Sequence, residues 1–192
     1  MACNIELKAH LHDFGRQYRL VEQLCDLQPQ QISQVDTYFR VNRGRLKLRE
    51  FTDGSCELIQ YAREDTSTPV PSHYHRIPLT DPAAVKAALI AALGVRGVIS
   101  KTRTLFLQGQ TRIHLDRVEG LGDFIELEVV LHSDQSEETG AATATALMTK
   151  LEIAPEQLVK YSYIDLLDVA KQLPALPQDQ LQGPRGKQGE VL

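Results

Sequence analysis

Residues 45–51 read RLKLREF, so Arg45, Lys47 and Arg49 alternate with Leu46 and Leu48. Side chains two apart on a strand point to the same side, which puts three cations on one face and leucines on the other. The same rule aligns Lys101 with Arg103, Glu126 with Glu128, and Glu6 with Lys8. No other feature constrains the chain as much, because every such strand must bury an apolar side and also accommodate a row of charges. Like charges about 7 Å apart along a strand repel unless water or counter-charge screens them. The rows are therefore either solvated outer faces of a half-buried sheet or the lining of a charged interior, and periodicity does not separate the two.

Charge is also segregated by sign. Arg40, Arg43, Arg45, Lys47 and Arg49 form a stretch without an acid, whereas Asp116, Glu119, Asp123, Glu126 and Glu128 share theirs with one base, Arg117. Basic rows on several strands, with a paired-acid row on another, are what holding a polyanion together with a divalent cation requires. A polyphosphate with Mg²⁺ or Mn²⁺ fits that pattern. The 192 residues carry a net charge of −4, which disfavours a nucleic-acid partner held by overall positive charge. The longest apolar run, residues 87–95, is far too short to span a bilayer, and the first residues lack the apolar core of a signal peptide; a soluble, cytoplasmic protein without a membrane partner is expected. Cys3, Cys25 and Cys56 are odd in number and widely spaced, so they read as reduced and structural.

Alternation predicts strands over 4–10, 34–41, 45–51, 56–63, 98–106, 111–118 and 123–132, with Asp53-Gly54 turning a hairpin between the third and fourth. Helices are expected after the cap residue Asp13, between Asp81-Pro82 and Gly94, over about 135–151, and over about 155–173. The stretch 69–78, with three prolines, reads as irregular or edge-like. This order of elements is α+β with a dominant antiparallel sheet, forming one domain over 1–173, and the Pro-, Gln- and Gly-rich residues 174–192 read as a disordered tail.

Covalent and loop-based phosphate chemistry finds no support. There is no GxxxxGK[ST] loop, Gly120-Leu121-Gly122 lacks a third glycine, and neither a GxSxG elbow nor an HExxH helix occurs. His10 with His12 and His73 with His75 are HxH pairs that could ligate a transition metal, but no Cys or acid stands at matching spacing, so they read as strand-end or loop histidines. His114 shares a strand face with Arg112 and Asp116 and is the stronger functional candidate.

The segments NIELKA (4–9), QVDTYFRVNRGRLKLRE (34–50), ELIQYAR (57–63), the basic strand around Lys101 and Arg103, and RIHLDRVEGLGDFIELEVV (112–130) together resemble the CYTH superfamily. That group includes class IV adenylyl cyclases, thiamine triphosphatases and inorganic triphosphatases, and the similarity is greatest to the class IV cyclase-like branch. The resemblance implies an eight-stranded antiparallel β-barrel, the triphosphate tunnel, with charged faces inward and helices outside. It implies that Lys8, Arg45, Lys47, Arg49, Arg63, Lys101 and Arg103 grip the triphosphate, with Lys8, Arg45, Lys47, Arg63 and Lys101 serving catalysis. Glu6, Glu126, Glu128 and Asp116 would hold Mg²⁺ or Mn²⁺. The first-strand ExExK motif stands here as Asn4-Ile5-Glu6-Leu7-Lys8, so one carboxylate is replaced by an amide. The Tyr and Lys tied to water activation in the thiamine triphosphatase branch fall on Val35 and Ile59, which disfavours that branch.

The expected activity is metal-dependent hydrolysis of a triphosphate small molecule such as inorganic triphosphate, ATP or thiamine triphosphate. Cyclisation of ATP to cyclic AMP and pyrophosphate is the alternative, followed by a non-catalytic nucleotide- or polyphosphate-binding module. A homodimer is the one macromolecular partnership left open.

Overall fold

Strands form wherever the alternation runs: β1 (Ala2–His10), β2 (Gln30–Phe39), β3 (Arg45–Phe51), β4 (Cys56–Arg63), β5 (Val70–Pro78), β6 (Val95–Gln108), β7 (Thr111–Val118) and β8 (Gly122–Val130). The computed structural model describes residues 2–25 and 27–172, and the tail expected over 174–192 lies outside the described residues. All strands pair antiparallel in the order β1-β5-β4-β3-β2-β6-β7-β8, and β8 returns to pair with β1. Closure gives every strand a neighbour on both sides. The α+β, eight-stranded antiparallel barrel with flanking helices is the fold.

The barrel is apolar on the outside where helices cover it. Leu7, Ala9, Ile113, Leu115, Ile125 and Leu127 point outward from β1, β7 and β8 and are at most 4% exposed. They pack with Val21 of α1 (Phe14–Leu24) and with Leu147 of α3 (Glu137–Lys150). The main hydrophobic core therefore lies between barrel and helices, and charged side chains gather on the inner faces. α3 comes close at Gly140, where a Cβ would stand 2.6 Å from both Ile5 Cγ1 and Leu131 Cδ2. The helix starts follow their caps: Asp13 accepts from the Arg16 N–H at 2.9 Å, and Asp81 accepts from the Ala84 N–H at 3.1 Å at the head of α2 (Pro82–Leu93). Gly94, at φ +70°, ends α2 in a conformation that L side chains resist.

Two segments differ from expectation. Residues 70–78 form a regular barrel strand, β5, because their prolines fall where the ladder to β4 ends: Pro78 pairs with Glu57 at one end, and Pro71 lies just past Arg63↔Ser72 at the other. The last helical region is broken. After a 3-10 turn at Pro155–Gln157, the Val159 N–H donates to the Lys8 carbonyl at 2.8 Å, and Leu158 bridges to Ala9. β5 pairs with β1 only as far as Glu6↔Val70, which leaves that part of β1 open to the returning chain. Ser162 then donates through its hydroxyl to Asp165 Oδ2 at 2.5 Å and starts α4 (Tyr163–Gln172). Tyr38, Ile99, Val118 and Phe124 pack with Val159, Tyr163 and Ile164, so this segment plugs one end of the barrel with apolar side chains.

Candidate active site

Two buried carboxylates organise the interior in the same way. Asp36 on β2 stands opposite Arg49 on β3, and Asp116 on β7 stands opposite Arg103 on β6. Arg49 donates to Asp36 through Nε and Nη2, both at 2.7 Å, and Lys47, two residues earlier on the same face, donates through Nζ at 2.8 Å. Arg103 grips Asp116 identically, with Nε and Nη2 at 2.7 Å, and Lys101 donates at 2.7 Å. Each Lys-x-Arg row thus rests on one acid from the adjacent strand. Burial alone would raise both carboxyls, but Arg49 with Lys47, and Arg103 with Lys101, hold them well below the usual carboxylate range. Lys47 itself is pushed down to about 8, by burial and then by Arg49, with Asp36 acting in the opposite sense.

These cations line a cavity of about 260 Å³ inside the barrel. Lys8, Lys47, Arg49, Arg63, Lys101 and Arg103 surround it, with Arg76 and Arg112 nearer the end away from the plug; the carboxylates at its wall are Glu6, Glu57, Glu126 and Glu128. The Lys8 ammonium pairs with Glu126 at 2.9 Å and lies 3.7 Å from the centre of the Tyr163 ring. Tyr163 donates through its hydroxyl to Asp116 Oδ2 at 3.0 Å, so the first residue of α4 braces the tunnel floor.

Acids and an imidazole meet on one wall. His114, Glu126 and Glu128 place a ligand atom each within 4.8 Å of one another. His114 Nδ1 is buried without a hydrogen-bond partner, 3.7 Å from Glu126 and 3.6 Å from Glu128. Burial and then Arg103 lower the imidazole pKa, with Glu128 and Glu126 acting in the opposite sense. Glu6 lies across from Glu128 on the adjoining strand. Its carboxyl is raised to about 7 by burial and then by Glu128 and Glu126, against Arg63 at 3.7 Å. Beside it, Asn4 and Ser72 face each other across β1 and β5, both buried; Asn4 Oδ1 has no hydrogen-bond partner among the described residues, and Ser72 acts on the Glu6 carboxyl.

The residues expected to grip a polyanion are brought together, with one exception: Lys8, Lys47, Arg49, Arg63, Lys101 and Arg103 share the cavity, and Arg45 does not. Arg45 has the same face as Lys47 but lies at the plugged end, where its guanidinium donates to Asp65 at 2.8 Å and to Asp165 on α4 at 2.6 Å. Among the expected metal ligands, Glu126 and Glu128 are adjacent to each other and to Glu6. Asp116 shares the Arg103 Nη2 with Glu126 but is fully buried and saturated by Lys101, Arg103 and Tyr163. Sequence reasoning missed Asp36, a single acid between Gln34 and Tyr38, whose only signal was its place on the inward face of a strand neighbouring the basic row. It also missed Tyr163, and it did not anticipate His114 joining Glu126 and Glu128.

A model of the CYTH domain family matches residues 2–163. No curated protein matches the chain. Among solved structures, the PH1012 protein of Pyrococcus horikoshii is similar at a TM-score of 0.75 and 24% identity, covering 85% of this chain and 98% of that one. A candidate adenylate cyclase from Vibrio parahaemolyticus is similar at a TM-score of 0.70 and 20% identity, covering 86% and 97%. HpAC1 from Hippeastrum, a candidate adenylyl cyclase described as having a dominant triphosphatase activity, is similar at a TM-score of 0.63 and 15% identity, covering 91% and 98%. At these identities the structures share the fold.

Proposed function

The chain belongs to the CYTH domain family, and from that premise we propose that it binds the triphosphate of a small molecule inside the barrel and hydrolyses it with Mg²⁺ or Mn²⁺. The observation that carries this reading is the doubled arrangement of Lys47 and Arg49 on Asp36 and of Lys101 and Arg103 on Asp116. Each acid uses two oxygens to hold an Arg in a fixed plane, and the cations are ordered before any ligand arrives. Phosphoryl transfer relies mainly on positioning and on neutralising charge, so pre-ordered cations in the cavity supply what the reaction needs. Lys8 and Arg63 extend the same cationic lining along the side where Glu6 and Glu126 stand.

The acid wall fits a hard divalent ion. Glu126, Glu128 and Glu6 offer carboxylate oxygens, His114 offers a buried nitrogen without a partner, and Asn4 offers an amide oxygen without one. An ion bound there would supply neutralisation of the phosphate oxygens and polarisation of the phosphorus being attacked. The remaining work falls to the chain: Lys8 and Arg103 pair with Glu126 and hold its carboxylate in place on the wall beside His114 and Glu128.

Cyclisation of ATP is the second reading. Ile32, Phe51, Ile59 and Leu105 also line the cavity, and an apolar wall of that kind can cover a nucleoside. HpAC1, a neighbour in fold, is described as having a dominant triphosphatase activity, which favours hydrolysis as the first reading. The test is phosphorus NMR with nucleotide chromatography after incubation with tripolyphosphate, thiamine triphosphate or ATP and either metal ion. Orthophosphate is the expected product. Cyclic AMP with pyrophosphate, and no orthophosphate, would put the cyclase first; no turnover would leave a binding module.

A further inference from the structure

The pair His73 and His75 lacks a cysteine or an acid nearby in sequence, but the barrel supplies both. Cys3 on β1 is the direct register partner of His73 on β5. Both side chains leave the outer face of the barrel, opposite in parity to Asn4, Glu6 and Ser72, which face the tunnel. Glu137, the first residue of α3, arrives at the same point because Gly140 lets that helix lie against β1. The Cys3 sulfur, a His73 ring nitrogen and a Glu137 carboxylate oxygen all lie within 4.8 Å of one another.

Three such atoms around one tetrahedral ion, with bonds of about 2.0–2.3 Å, stand roughly 3.3–3.8 Å apart. His73 Nε2 and Glu137 Oε1 are already 3.9 Å apart, and both side chains are about half exposed, free to close the remaining distance. Among the described residues the Cys3 thiol otherwise meets only backbone groups, the Asn4 carbonyl at 3.8 Å and the backbone of Ser72. The geometry points to a second metal site on the outer face of the barrel, in which Cys3, His73 and Glu137 bind Zn²⁺ or a similarly thiophilic divalent ion and leave one position for water. One thiolate, one imidazole and one carboxylate suit zinc, whereas the carboxylate-rich tunnel suits Mg²⁺ or Mn²⁺, so ligand type sorts the two kinds of ion between the two places. Ligation here would tie the start of α3 to β1 and β5 from outside and involves no tunnel residue.

The test is titration of the full chain with Co²⁺, under a reductant without thiols, followed by absorbance. A thiolate-to-cobalt charge-transfer band should saturate at one ion per chain and disappear on adding Zn²⁺. It should persist in Cys25→Ser, in Cys56→Ala and in the double variant Glu126→Gln with Glu128→Gln, which separates this site from the tunnel. Cys3→Ser should abolish the band, and His73→Ala should need at least about 10-fold more Co²⁺ to reach it. The absence of a band at saturating Co²⁺, or a band unchanged in either of these last two variants, overturns the site.

Discussion

Replacing Asp36 by Asn removes the negative charge beneath Lys47 and Arg49 while keeping the shape of the side chain. Asp36 is 1% exposed and accepts from Lys47 at 2.8 Å and twice from Arg49 at 2.7 Å, so the substitution leaves two cations facing each other in a buried place. Lys47 has an escape. Its pKa is already about 8, so shedding its proton at neutral pH costs about 1.4 kcal/mol for each pKa unit. Arg49 has none, because its guanidinium does not deprotonate, and the loss of its charge-assisted bonds costs about 1.5–3 kcal/mol. The total is roughly 3–4 kcal/mol, near the lower end for breaking a buried ion pair. At about 2–4 °C per kcal/mol for a chain of this length, Tm should fall by about 10 °C. Thermal unfolding followed by circular dichroism near neutral pH, without phosphate or metal, measures this. Asp116→Asn should cost at least as much, since Tyr163 also donates to that acid. A Tm within about 2 °C of the unsubstituted chain for Asp36→Asn would refute the argument that this carboxylate holds the basic row in place.

Glu6 should govern part of the pH dependence of stability. Its carboxyl is raised to about 7 in the folded chain by burial, Glu128 and Glu126, so the protonated form stabilises fully below about 4.5 and that contribution is lost as the pH rises through about 7. Tm of Glu6→Gln should therefore fall less between pH 5 and pH 8 than that of the unsubstituted chain, and an equal fall would contradict the assignment. Arg45→Met should lower Tm by several degrees, since it unties β3 from Asp65 and Asp165, yet leave tripolyphosphate affinity within about threefold. By contrast, Lys101→Met should weaken that affinity by at least about tenfold, and calorimetric titration compares the two. Gly140→Ala should be destabilising, because overpacking against Ile5 and Leu131 at about 1–3 kcal/mol exceeds the gain of about 1 kcal/mol in helix propensity; urea unfolding reads the sign.

The alternation of Arg45, Lys47 and Arg49 with leucines was enough to find β3 and to say which side chains share a face. It could not say whether that face looked inward, since a row of charges satisfies the same period in water or in a tunnel. Only the family resemblance chose between them, and the closed strand order bears it out. Period also says nothing of depth. Arg45 and Arg49 have one parity, but Arg49 sits over Asp36 inside the cavity and Arg45 at the plugged end against α4. Asp36 was invisible as a functional residue because its meaning lies in the register of β2 on β3, which no local pattern encodes. Tyr163 was hidden for a related reason: the sequence around it reads as continuous helix, and the break before it depends on the β1 backbone offering the Lys8 carbonyl to Val159. The prolines of β5 misled in the opposite direction, since a strand tolerates them where its ladder ends.

In the proposed function, Arg49 and Arg103, held by Asp36 and Asp116, form the grip on a triphosphate. Isothermal titration of the full chain with inorganic tripolyphosphate, in EDTA and at low salt, tests it most directly. One site per chain is expected, with affinity that weakens steeply with added salt and with loss of binding in the double variant Arg49→Gln with Arg103→Gln at retained fold by circular dichroism. Tripolyphosphate binding of undiminished strength in that folded double variant would contradict it.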